Sequence, residues 1–257
     1  MIWVVAGTWD GRQIALLLEE EGWPVLASSV TDYGQLLLQE SLRGEILSGP
    51  LDAESMSRVI QQRSIRLVID ATHPYAIQAT RNIQQACGQE GIPWVRFERE
   101  SLYGEQGSDA FDRVTWAEDV LAAAQQARAY PGGIFLATGS RSLQTFAREL
   151  GPEKLIARVL PTLESIQACQ AAGINPGCIV ALQGPFSVEL NRELLRHYGA
   201  RLLITKESGK AGGFLEKVEA AGQLQLPVIA IKRPGCDAQM TFSRVEELLS
   251  HVAALFL

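Results

Sequence analysis

Apolar residues along this chain fall into two alternating patterns. Short runs of β-branched and aliphatic residues, of strand length, stand at 2–6, 24–28, 66–71 and 93–97, and again at 134–137, 155–159, 178–182, 202–205 and 228–231. Each ends near a Gly, Ser, Thr or Pro. Between them lie stretches whose apolar positions recur every three to four residues, as at 11–21, 53–62 and 75–90, and the chain closes on another at 245–255. Period two giving way to period 3.6, over and over, predicts parallel strands covered by helices, hence an α/β fold. One segment, 100–112, has no sustained apolar period and carries Gly104, Gly107 and Ser108, so it reads as a linker. A boundary there gives two doubly wound domains, 1–112 and 113–257. No repeat of fixed period and no low-complexity tract interrupts the pattern.

With 257 residues, 47% of them hydrophobic, the chain is large enough for two such cores and too apolar to be disordered. Its net charge of −6 argues against nucleic acid or an anionic membrane surface as the general partner, while leaving room for a local basic pocket facing an acidic small molecule. Cys87, Cys169, Cys178 and Cys236 form no Cys-x-x-Cys pair, and no metal site is expected. There is no basic leader and no apolar run of about 18 residues, so the default expectation is a reduced, cytoplasmic protein with no membrane span. Nothing in the pattern marks a subunit interface, which is compatible with a monomer.

In open parallel sheets ligands bind beyond the carboxyl ends of the strands, so the residues that follow each strand matter most. The first run leads into Gly7-Thr8-Trp9-Asp10-Gly11-Arg12, two glycines at the start of a helix, which is either a phosphate-binding loop or a plain strand-to-helix turn. After the second come Ser28, Ser29 and Thr31, with no Asp or Glu where an NAD site places one for the ribose. Hydroxyls there suit a 2′-phosphate, and equally suit the plain end of a strand. The third is followed by Asp70-Ala71-Thr72-His73-Pro74-Tyr75, in which Asp70 or Thr72 could also serve as a helix cap. In the second half the corresponding turns hold Thr138-Gly139-Ser140-Arg141, Gln183-Gly184-Pro185-Phe186-Ser187 and the glycine- and lysine-bearing stretch Thr205 to Gly213, either a ligand-hugging loop or a solvated one.

Taken in order, GTWDGR at 7–12, DATHPYA at 70–76, TGSR at 138–141, Arg158-Val159-Leu160-Pro161, QGPFS at 183–187, TKESGKAGG at 205–213 and Arg233-Pro234 resemble the precorrin-6A reductases of cobalamin biosynthesis, those acting on cobalt-precorrin-6A included. The likeness spans almost the whole chain; Asp10 departs from the glutamate frequent there. It implies two Rossmann-like domains with mainly parallel sheets and a cleft between them, the first domain holding NADPH, or NADH in some members. It also implies reduction of a macrocycle double bond by hydride transfer and protonation. Gly7, Thr8, Gly11 and Arg12 would then hold the pyrophosphate, and Ser28, Ser29 and Thr31 the adenosine ribose and its phosphate. Asp70, Thr72, His73 and Tyr75 would line the reacting centre, with His73 or Tyr75 the candidate proton donor unless solvent provides it.

The substrate of that family is an acidic tetrapyrrole, and a net-negative protein must gather cations locally to hold it. Ser140, Arg141, Gln183, Lys206, Ser208, Lys210 and Arg233 are the residues expected to do so. Two other functions fit the fold: an S-adenosylmethionine-dependent methyltransferase, which needs a tighter glycine loop, and a non-catalytic NADPH sensor, which has no use for the second domain's basic turns. A short-chain dehydrogenase does not fit, since no tyrosine is followed four residues on by lysine.

Overall fold

The computed structural model describes residues 1–102, 113–209, 212–235, 238 and 240–256. The chain forms two compact units, one of Met1–Glu100 with Gly235–Leu257, the other of Ser101–Pro234.

The first unit is built on six parallel strands: β1 (Ile2–Ala6), β2 (Val25–Ser29), β3 (Glu45–Ser48), β4 (Leu67–Ala71), β5 (Trp94–Phe97) and, from the end of the chain, β12 (Thr241–Phe242). Their order is β3-β2-β1-β4-β5-β12. Every residue of β1, β2 and β4 is buried, as the unbroken apolar runs foretell for strands covered on both faces. Helix α1 (Trp9–Glu20) buries Ile14, Ala15 and Leu18 against one face, while α3 (Ala53–Gln62) and α4 (Ile77–Glu90) bring Met56, Ile60, Ile83 and Ala86 to the other. The remaining helix between β2 and β3 is α2 (Asp32–Gln39).

The second unit carries β6 (Val114–Ala117), β7 (Ile134–Ala137), β8 (Leu155–Val159), β9 (Ile179–Ala181), β10 (Leu202–Lys206) and β11 (Val228–Ile231), all parallel, in the order β6-β11-β10-β7-β8-β9. Its helices are α5 (Val120–Ala127), α6 (Leu143–Leu150), α7 (Leu163–Ala171), α8 (Val188–His197) and α9 (Phe214–Gln223).

The domain bounds depart from the sequence expectation at both ends: the first boundary falls after Glu100 and not after 112, with Leu102 in the second unit's core, and the chain's end returns to the first unit. The last helix, α10 (Val245–Phe256), buries Leu248 and Val252 in the first unit's core, and β12 pairs Thr241 with Arg96 and Phe242 with Phe97. The second unit thus ends at Pro234 instead of running to 257. The cause is an open edge: β5 has free backbone groups on its outer side, which the returning chain satisfies when Arg96 N–H donates to Met240 O at 3.0 Å and Glu98 N–H to Phe242 O at 2.9 Å. Of the expected linker, residues 103–112 lie outside the described residues, as does Cys236.

Candidate functional site

In each sheet the strand order reverses at one point, the place where open α/β sheets as a class bind ligands. In the first unit the reversal lies between β1 and β4, which pair from Ile2 opposite Leu67 to Ala6 opposite Ala71. It brings the turn after β1 beside the turn after β4, with the end of β2 next in line.

Thr8 ties the two turns together. As the N-cap of α1 its Oγ1 accepts from Gly11 N–H at 3.1 Å, and it donates to Ala71 O at 3.1 Å. Both glycines are there for space: a Cβ on Gly7 would lie 3.1 Å from Thr72 Cα and 3.2 Å from His73 N, and one on Gly11 2.9 Å from Ala6 Cα. Asp10 pairs with Arg99, whose guanidinium lies over the exposed Trp9 ring. Arg12 is half-buried and forms no ion pair among the described residues.

The expected ribose residues divide. Ser28 points into the sheet, where its buried Oγ accepts from Trp3 Nε1 at 2.9 Å. Ser29 is the last residue of β2, and Thr31 caps α2 by accepting from Gly34 N–H at 3.0 Å.

The turn after β4 divides too. Asp70 is fully buried. Its Oδ1 accepts from Thr72 N–H at 3.0 Å, and its Oδ2 from Thr80 Oγ1 and Arg96 Nη1, both at 2.7 Å. Arg96, 1% exposed, also donates to Glu98 at 2.7 Å. This carboxylate faces the interior and props up the turn, so it does not line a reacting centre. Thr72, by contrast, keeps a buried Oγ1 with no hydrogen-bond partner among the described residues. His73 and Tyr75 pack together with ring centroids 5.5 Å apart, and His73 Nδ1 accepts from Tyr75 N–H at 3.3 Å. Tyr75 lies in a turn, two residues ahead of α4, which begins without a side-chain cap.

In the second unit the reversal lies between β7 and β10. Thr138 and Ser142 share a 2.7 Å hydrogen bond that closes the turn after β7, Ser165 Oγ donates to Ser140 Oγ at 3.5 Å, and Arg141 is exposed. Lys206 ends β10, where burial first, then the Arg141 charge, lowers its pKa. Ser208 donates to Gly212 O at 3.0 Å. Lys210 lies outside the described residues. Gln183 is exposed beyond β9, at the far edge of the sheet and two strands from the reversal. Arg233 is committed inward: it pairs with the fully buried Glu207 and donates to the Glu207 carbonyl oxygen. Glu207 also accepts from Gly209 N–H at 2.8 Å and Ser101 Oγ at 3.1 Å, so this pair shapes the loop. Glu207, Arg96 and Thr80 escaped sequence reasoning; a charged residue amid an apolar strand, as Arg96 is, was the available signal.

Comparison with known proteins follows the same lines. The family model described as "Precorrin-6x reductase CbiJ/CobK" matches residues 1–253. The chain is 36% identical over 252 residues to a cobalt-precorrin-6A reductase of Priestia megaterium, covering 97% of this chain and 96% of that one. It is 37% identical over 252 residues to the cobalt-precorrin-6A reductase of Methanothermobacter thermautotrophicus, covering 97% and 82%. A solved structure named CobK precorrin-6A reductase superimposes with a TM-score of 0.79 at 27% identity, covering 98% of this chain and 96% of that one.

Proposed function

This chain belongs to the precorrin-6x reductase family, and from that premise we propose that it is an oxidoreductase of cobalamin biosynthesis. It reduces a ring double bond of precorrin-6A, or of its cobalt-bearing counterpart, using NADPH in preference to NADH. The observation that carries the cofactor part is the pairing of Gly7 with Thr72 at the first sheet's strand reversal. The missing Cβ lets the turn after β1 press against Thr72, whose buried hydroxyl has no hydrogen-bond partner among the described residues, and such a hydroxyl is costly unless a ligand completes it.

The residues fit a dinucleotide. Gly7 and Gly11 let the chain turn close to a pyrophosphate, with Thr8 holding the loop to β4 and Arg12 supplying positive charge. Ser29 and Thr31, with no carboxylate among residues 25–31, suit a 2′-phosphate; Ser28 holds Trp3 in place. Bound there, the reduced nicotinamide supplies the hydride.

The protein's own residues do the rest. Thr72 Oγ1 hydrogen-bonds the bound nucleotide, and Asp70 positions Thr72 through its backbone N–H. Because His73 Nδ1 accepts from Tyr75 N–H, a neutral His73 ring carries its proton on Nε2. That proton, or the Tyr75 hydroxyl's, is the one delivered to the carbon next to the site of hydride addition. Arg141, Lys206, Ser140, Ser208 and Gln183 take the acetate and propionate arms, guanidinium to carboxylate where geometry allows.

The test is a thermal-shift titration with NADPH, NADH and S-adenosylmethionine, followed by nicotinamide oxidation in the presence of precorrin-6A. A melting shift with NADPH and substrate-dependent oxidation are expected; a shift with S-adenosylmethionine alone would contradict the reading.

A further inference from the structure

Two cations of the second unit are drawn away from water with no ion pair among the described residues, and neither belongs to the strand-edge set above. Lys217, on α9, is 5% exposed, and its Nζ donates to Gly212 O at 3.1 Å. Arg158, the penultimate residue of β8, is half-buried and held from two sides. Its Nη1 donates to Asn191 Oδ1 at 3.2 Å, and its guanidinium lies 5.3 Å from the centre of the Phe186 ring. Asn191 is itself fixed, since its Nδ2 donates to Phe186 O at 3.1 Å and Ser187 O at 2.9 Å.

Among the described residues neither cation forms an ion pair, and their surroundings meet: Phe186, which carries the Arg158 guanidinium, follows Pro185, which lies beside Gly213, and Gly213 follows the Gly212 to which Lys217 donates. Burial first, then the Arg158 charge, brings Lys217 down to about 7, and burial brings Arg158 down to about 10. The acidic groups that Lys217 feels are Glu216 and Glu207. Glu207 is committed to Arg233, and Glu216 Oε2 is buried with no hydrogen-bond partner among the described residues. Buried charges in folded proteins are normally paired, so two adjoining desolvated cations, one clamped by an amide and a ring, mark a place left for a ligand's anion.

We propose that Arg158 and Lys217 form a subsite for one carboxylate arm of the macrocyclic substrate. The proposal rests on the reductase reading and extends it to residues away from the second sheet's strand reversal. A carboxylate suits the charge better than a phosphate does. Arg158 alone balances a monoanion, and Lys217 gains a full charge only by taking up a proton as the anion arrives. The loop after β9 closes the group from the side, for a Cβ on Gly213, the residue before α9, would lie 3.1 Å from Pro185 Cβ.

The experiment compares wild type with Arg158→Met and Lys217→Met in steady-state reduction of precorrin-6A, with melting temperature and proton uptake on substrate binding measured beside it. Each variant is expected to raise KM for the tetrapyrrole about tenfold or more, as loss of a charge-assisted hydrogen bond does, while KM for NADPH stays within about twofold. Wild type should take up a proton on binding substrate near pH 8, and Lys217→Met should not. Methionine in place of a buried amine whose one hydrogen-bond partner among the described residues is a carbonyl should leave the melting temperature equal or higher, whereas a structural lysine would show a fall. Arg158→Lys, which keeps charge but loses the fork, should give an intermediate KM and serves if a Met variant fails to fold. Unchanged tetrapyrrole KM in the variants of an active wild type overturns the subsite alone. A raised NADPH KM instead would assign the cations to cofactor phosphate and also overturns it. A wild type that neither binds nor reduces precorrin-6A overturns the subsite and the reductase reading together.

Discussion

Residue types at the strand ends were legible in the sequence, but the direction of each side chain was not. Asp70 and Arg233 both looked like groups for a ligand, and both meet a partner 26 positions away in the chain, Arg96 and Glu207, at a separation that no local pattern encodes. Replacing Asp70 by Asn removes one of the two carboxylates that Arg96 meets in a buried site, Glu98 remaining, and we expect a loss of about 1–3 kcal/mol in urea unfolding. Thr72→Val separates binding from stability. The apolar isostere removes a buried hydroxyl that has no partner, so the free protein should be as stable or slightly more so, while NADPH binding measured by calorimetry weakens about tenfold. Equal NADPH affinity in the variant would detach Thr72 from the cofactor.

At the scale of elements, clear apolar patterns fix bounds to the residue: β1, β7, β8, β11 and α3 have the expected bounds. Elements at the sheet margins were not. β3 has exposed ends and a half-buried middle, β6 is only partly buried, and β12 has two residues, so their apolar signal is weak and tertiary pairing decides them. Helix α4 starts at Ile77, not at Tyr75, because the turn that holds His73 and Tyr75 comes first. The junction of β1 with α1 shows how tightly an element constrains its neighbours. Gly11→Ala would press a methyl against Ala6 and Ala71, and a destabilisation of about 1–3 kcal/mol in chemical denaturation is the expected result. Gly7→Ala pushes instead toward Thr72 and His73, and its larger effect should fall on the dissociation constant for NADPH.

For the whole molecule, the two-unit α/β plan was visible from alternation alone, whereas the return of the chain's end to the first sheet was not: an apolar helix at 245–256 carries no mark of which core it will join. A buried lysine also leaves a signature on the stability of the protein as a whole. Because folding lowers Lys217 to about 7 from its ordinary 10.5, the unfolded chain binds the extra proton between those values, and this group's contribution to stability rises with pH across that window. The difference in unfolding free energy between wild type and Lys217→Met should therefore shift in favour of wild type as pH increases from 7 to 10.5, and a pH-independent difference would place a charged, paired lysine at 217. The central claim is direct reduction of the macrocycle by a bound nicotinamide, and it is tested most directly with NADPH deuterated at either face of C4, followed by mass spectrometry of the tetrapyrrole product. One of the two labels should appear in the product as a single carbon-bound deuterium that does not exchange with solvent. Turnover with neither label transferred, or no turnover at all, would contradict the account.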